Sequence, residues 1–165
     1  MKRLLCIFLS VLMLLTLTGC SYGDMDGYRF YYRRRELQFG TEDGVIRAEA
    51  RDIDGHKGDF SYLIALYFSG PLDEELVSPF HPSTRLLSVR QEEEHLIIQL
   101  TDSGIAIPDS EFSLACACLS FTCMENPGIT AVTVENRHRT VTMTRDILTI
   151  YENIADSGSA TEETK

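Results

Sequence analysis

Hydrophobic and polar positions along residues 28–144 follow two rhythms. In YRFYYRRR, Tyr28, Phe30 and Tyr32 alternate with Arg29, Tyr31 and Arg33, the two-residue period of a strand with one buried face. VIRAEARDI repeats the pattern, with Ile46, Ala48 and Ala50 against Arg47, Glu49 and Arg51. Thr41-Glu42-Asp43-Gly44 supplies turn residues between the two strands. The period then lengthens. Phe60, Leu63, Ile64, Tyr67 and Phe68 recur at helical spacing, with Asp59 placed to cap the helix and Gly70-Pro71 to stop it. An irregular stretch with two prolines, LDEELVSPFHPS, leads into two further strands, TRLLSVR and HLIIQLT, joined by the acidic tip QEEE. Adjacent like charges repel and belong in water, so QEEE reads as a solvated hairpin tip.

A second helix is predicted over PDSEFSLACACLSFTCMENPG. Asp109 or Ser110 caps it and Asn126-Pro127-Gly128 ends it. Phe112, Cys116, Leu119 and Cys123 form one apolar line, which Ala115 and Cys118 widen. GITAVTVENRHRTVTMT then gives two strands about an Asn136-Arg137 turn, with Val132 and Val134 set against Val141 and Met143. DILTIYENI extends the last strand or forms a short helix. The order is two strands, helix, two strands, helix, two strands. Two helices with one apolar stripe each suit one face of a small mixed or antiparallel sheet, so the expected class is α+β, a two-layer sandwich.

The first residues have a different build. Lys2 and Arg3 precede an uncharged apolar run from Leu4 to Leu17, the basic and greasy regions of a secretory signal. The run is shorter than the ~20 residues of a membrane-spanning helix. Leu17-Thr18-Gly19-Cys20 looks like a bacterial lipobox, in which the cysteine sulfur takes a diacylglyceryl group and the chain is cut before it. The same stretch contains G-x-S-x-G around Ser21, the nucleophile-elbow pattern. Cleavage before Cys20 removes Gly19 and destroys that pattern, and a Gly/Asp-rich linker stands where the elbow's helix belongs. An ordinary signal cut elsewhere would instead leave Cys20 a free thiol. The expected organisation is a signal over 1–19, a lipid-anchored tether over 20–27, a domain over 28–150 and an acidic tail over 151–165. The tail's last ten residues, DSGSATEETK, are small and polar, a composition of disordered chain.

Charge narrows the partners. The chain has 15 Lys+Arg against 25 Asp+Glu, a formal net charge of −10. Losing Lys2 and Arg3 with the signal makes it more acidic still. That argues against nucleic acid, whose binders need a basic stripe, and against electrostatic adhesion to anionic lipid. Contact with the membrane then rests on the acyl chains at Cys20. Of the remaining cysteines, Cys6 leaves with the signal. Cys116, Cys118 and Cys123 are an odd count at spacings unlike C-x-x-C, so they read as small buried hydrophobes rather than a disulfide framework.

Candidate chemistry is sparse. DIDGH places Gly55 two residues too early for a calcium loop that begins at Asp52. His56, His81, His95 and His138 fall in four separate turns or loop edges, so a zinc site would need tertiary assembly. No metal or cofactor is expected, and no catalytic residue is assigned. An envelope-acting enzyme would be marked by His81 or His138 beside a buried carboxylate in a cleft. A small ligand-binding lipoprotein would be marked by a concave apolar pocket with a few converging polar groups.

ALYFSGP, SPFHPSTRLLSVR and CLSFTCMENPGITAVTVEN, in that order, resemble the GerMN domain of sporulation and spore-germination lipoproteins. Leu66, Gly70 and Pro71 match the family's helix end. Pro82, Ser83 and Thr84 match its Pro-x-Gly-Thr loop, with Ser83 for the glycine. Ser120, Phe121 and Thr122 correspond to its Thr-Leu-Thr, and Gly128, Ile129 and Val132 to its Gly-Val-x-x-Val. The resemblance covers roughly residues 28–145, one domain's worth of chain. It implies a fold similar to ring-building motifs and a non-catalytic role in assembling or stabilising an envelope complex, through a protein partner or self-association.

Overall fold

The computed structural model describes residues 27–36 and 44–146. These comprise β1 (Tyr28–Arg34), β2 (Ile46–Arg51), α1 (Phe60–Phe68), β3 (Leu76–Val77), β4 (Leu86–Glu92), β5 (His95–Leu100), α2 (Asp109–Met124), β6 (Ala131–Glu135) and β7 (Thr140–Thr144). The signal, Cys20, the turn at 41–43 and the tail all lie outside the described residues.

The class is α+β, with strands divided between two sheets where the pattern suggested one. One sheet has the order β2-β1-β3 and the other β4-β5-β6-β7. Every neighbouring pair is antiparallel except β5 and β6. Parallel neighbours need a long crossover, and α2 provides it. The register of the last hairpin sets Val132 opposite Met143 and Val134 opposite Val141, as the alternation predicts. β3 arises inside the proline-bearing stretch that sequence leaves irregular. It pairs with β1 at Arg33 and Arg34 and buries Leu76.

The core is one continuous cluster. Tyr28, Phe30 and Tyr32 of β1 enter it with Phe60, Leu63, Ile64 and Tyr67 of α1. Leu96, Ile98, Val132 and Val134 supply the inner face of the larger sheet. The predicted apolar line of α2 is buried as expected, but so are Ser120 and Thr122 beyond it. The cause is the second sheet. Tyr31 N–H donates to Thr122 Oγ1 at 2.9 Å and the Tyr28 hydroxyl to Thr122 O at 2.7 Å, which binds α2 along the edge of β1.

The helix starts differ. The Asp59 side chain caps α1, accepting from Tyr62 N–H at 3.0 Å. On α2 neither Asp109 nor Ser110 is the cap. Pro108 occupies that position without a side-chain bond, and its carbonyl accepts from Phe112 N–H at 3.1 Å. Asp109 therefore falls inside the first turn, where a carboxylate suits the helix dipole. Beyond α1, Gly70 adopts φ +89°, a left-handed conformation that a side chain would strain. The QEEE tip is exposed as expected, with Glu93 at φ +56°.

Candidate functional site

Three connections meet at one end of the molecule. They are the chain at 80–84 before β4, the loop at 101–107 after β5, and the turn at 136–139 between β6 and β7. Together they enclose a cleft of about 300 Å³. Its floor is apolar, with Phe80, Leu100 and Phe112 buried in the core cluster. Its rim is polar and includes His81, Asp102, Asn136, His138 and Arg139.

Local hydrogen bonds fix that rim. Asn136 Oδ1 accepts from the backbone N–H groups of His138 and Arg139 at 3.0 and 2.9 Å, shaping the turn. His138 Nε2 lies 2.9 Å from Asp102 Oδ2, joining the turn to the loop. Both side chains are open to solvent, 63% and 35% exposed, so their mutual attraction is small. Asp102 is not a buried carboxylate. His81 Nδ1 lies 2.7 Å from Ser83 Oγ and accepts from Ser83 N–H at 3.2 Å, a local turn. Ser83 Oγ donates onward to Ser103 O at 3.2 Å, stitching two walls together. Arg139 acts as a brace. Its guanidinium lies 5.4 Å from the Phe112 ring, donates to Ile107 O at 2.7 Å and sits 3.3 Å from Asp109.

A larger groove of about 610 Å³ adjoins the cleft. There Ala65, Phe68, Ser69 and Gly70 face the chain from Ser78 to Leu86. Phe80, His81 and Thr84 line both spaces and form the wall between them. Gly70, Pro82 and Thr84, which carry part of the family resemblance, lie along this groove.

Beside α1 lies a buried charge cluster that the sequence pattern hides. Glu49 and Arg51 sit opposite Phe30 and Tyr28 across the β2–β1 pair, on the core side. The charged face of β2 thus turns inward and the alanine face does not. Arg51 pairs with Glu49, and its guanidinium lies 5.2 Å from the Phe30 ring and 5.6 Å from the Tyr32 ring. It also donates to Leu66 O at 3.3 Å and Gly70 O at 2.5 Å. Glu49 accepts from Leu72 and Asp73 N–H, each at 3.0 Å. The pair therefore clamps the end of α1, its remaining hydrogen-bonding capacity filled by backbone. An arginine at a helix C-terminus also complements the dipole.

The other candidates lie apart. Cys116, Cys118 and Cys123 are free and buried, and burial pushes each thiol up to about 12. His56 stacks on Tyr62 with ring centroids 4.3 Å apart. His95 Nε2 lies 2.8 Å from Thr133 Oγ1 on the outer face of the larger sheet. Only His81 and His138 of the four share a site. Among the described residues no group of three or more His, Cys, Asp or Glu is placed to hold a metal ion. Sequence reasoning noted both histidines but missed the cleft, because Asp102, Asn136 and Phe112 reach it from three separate elements. The hint available in the sequence was the turn chemistry of TDSG and ENRH.

No family model matches the sequence, and no curated protein does. The crystal structure of a protein from Clostridium perfringens, provisionally named a lipoprotein, aligns with 77% of this chain and 94% of its own. Identity is 16% and the TM-score 0.47, too low for the likeness to carry an inference.

Proposed function

We propose that the chain is a lipid-anchored extracytoplasmic interaction module. Diacylglyceryl on Cys20 holds it on the outer face of the cytoplasmic membrane, where it helps assemble or stabilise an envelope protein complex. Sporulation or germination is the setting that the family resemblance implies. The observation that carries this reading is the basic, then apolar, then Leu17-Thr18-Gly19-Cys20 order of the first twenty residues. Two acyl chains, at ~0.8 kcal/mol per buried methylene, give durable attachment where one gives marginal binding. A short tether then keeps the domain at high effective concentration around its partner. The mechanism is positional. It asks of the domain a rigid fold and an accessible surface, and the cleft and its adjoining groove supply one.

Crosslinking of a C-terminally tagged copy in the native host, with captured chains identified by mass, tests this reading. Envelope-complex subunits or further copies of the chain are the expected catch. Even spread over the membrane with no reproducible protein partner contradicts it. A second reading, a small ligand-binding lipoprotein, is favoured by the cleft itself, whose apolar floor and convergent polar rim have the make-up of a ligand pocket. Thermal-shift screening with peptides, sugars and metal ions separates the two. A saturable stabilisation abolished by Phe112→Ala, checked against that variant's own melting, favours the pocket.

A further inference from the structure

The chain enters the domain at the end opposite the cleft. Gly27 and Tyr28, at the start of β1, line one shallow depression with Ile53, Gly55, Lys57 and Glu125. Asn126, just past α2, donates to Lys57 O at 3.3 Å. Thr130 N–H bonds Glu94 O at 2.9 Å, and Arg145 N–H bonds Thr130 O at 3.0 Å. The β4–β5 tip, the start of β6 and the end of β7 therefore gather at this same pole. α2 runs from one pole to the other. Its N-terminus, with Phe112, is at the cleft, and its C-terminus is beside Gly27. Sixteen helical residues span about 24 Å, and Arg139 of the 136–139 turn meets Asp109 and Phe112 at the N-terminal end of that span.

We infer that the anchored domain faces the lipid bilayer with this entry pole and presents the cleft to the extracytoplasmic space. The inference rests on Cys20 being the lipid site. From Cys20 to Gly27 the chain reaches at most about 25 Å. That is roughly the length of α2 alone, so the tether is too short to pass the domain and lay the cleft on the headgroups. The pole it attaches to is acidic. Asp52, Asp54, Asp59, Glu93, Glu94 and Glu125, distributed over its loops and hairpin tip, outnumber Lys57 and Arg145 at the same pole. Anionic headgroups repel such a surface within a Debye length of about 8 Å. The pole is a base that faces lipid without adhering to it. What reaches the cleft comes from the side away from the membrane.

The test uses the full lipidated chain on vesicles of phosphatidylcholine and phosphatidylglycerol that carry a headgroup-attached energy acceptor. Glu93→Cys and Arg137→Cys each place a donor dye on an exposed loop, one per pole, while Cys116, Cys118 and Cys123 stay buried and unlabelled. Both variants are checked for native melting. Donor quenching at position 93 is expected to exceed that at position 137 at least threefold. A ratio below threefold on a chain whose Cys20 lipid is verified by mass overturns the orientation and leaves the anchoring intact. A chain that binds the vesicles with Cys20 unmodified overturns both.

Discussion

Glu49 and Arg51 occupy positions where the alternation of β2 alone would put polar side chains in water. Both are buried, at 9% and 7% exposure, because the aromatic face of β1 needs a cover that can also hold the end of α1. Alanine is too short for that, whereas a guanidinium can lie over two rings and bond two carbonyls at once. Breaking such a pair costs more than never having it, since the surviving charge stays buried and unpaired. Arg51→Met is expected to destabilise the domain by about 3–5 kcal/mol in denaturant unfolding, and Arg51→Met with Glu49→Gln by clearly less. A double variant that loses the sum of the two single-variant losses would show that the two side chains act independently.

The cysteines obey the sequence reading more simply. Three thiols on α2 count as apolar volume, and all are at 2% exposure or less. Burial holds them at about 12 in the folded chain, above the ordinary thiol value of 9.0, so folding favours the neutral thiol. Below pH 9 that stability is fully present. It falls as pH rises from 9 toward 12, because only the unfolded chain ionises freely. Buried Tyr28 and Tyr32, also raised by desolvation, act in the same direction at higher pH. The denaturation midpoint of the reduced protein is expected to be lower at pH 10.5 than at pH 8. A midpoint unchanged over that range would mean the thiols and phenols do not titrate on unfolding.

Elements with a strong period were legible from sequence, and those fixed by tertiary pairing were not. α1, α2 and the register of the β6–β7 hairpin follow from spacing and turn residues. β3 did not, because two residues make no pattern, and its existence depends on Arg33 and Arg34 of β1 offering backbone partners. The division into two sheets escaped for a related reason. Alternation says which face of a strand is buried but not which neighbour pairs with it. The helix caps show the same split. Asp59 bonds a backbone N–H, so Asp59→Ala is expected to cost about 1 kcal/mol. Among the described residues Asp109 pairs with Arg139 through an exposed carboxylate, so Asp109→Ala is expected to cost no more than about 0.5 kcal/mol. Parallel urea titrations of the two variants decide this, and equal losses would contradict the different roles of the two aspartates.

At the scale of the molecule, one acidic domain is built with its chain entry at one pole and its cleft at the other. The cleft was not legible because its rim is assembled from three loops far apart in sequence, each of which alone reads as an ordinary turn. The anchor, by contrast, is read only from sequence, and the functional account depends on it. A Cys20→Ala chain is expected to move from the membrane pellet to the soluble fraction while keeping the melting profile of the unlipidated domain. The most direct measurement is the mass of the N-terminal peptide from chain extracted out of native membranes. The account predicts that residues 1–19 are gone and that Cys20 carries a diacylglyceryl group. An N-terminus elsewhere with an unmodified Cys20 would contradict it.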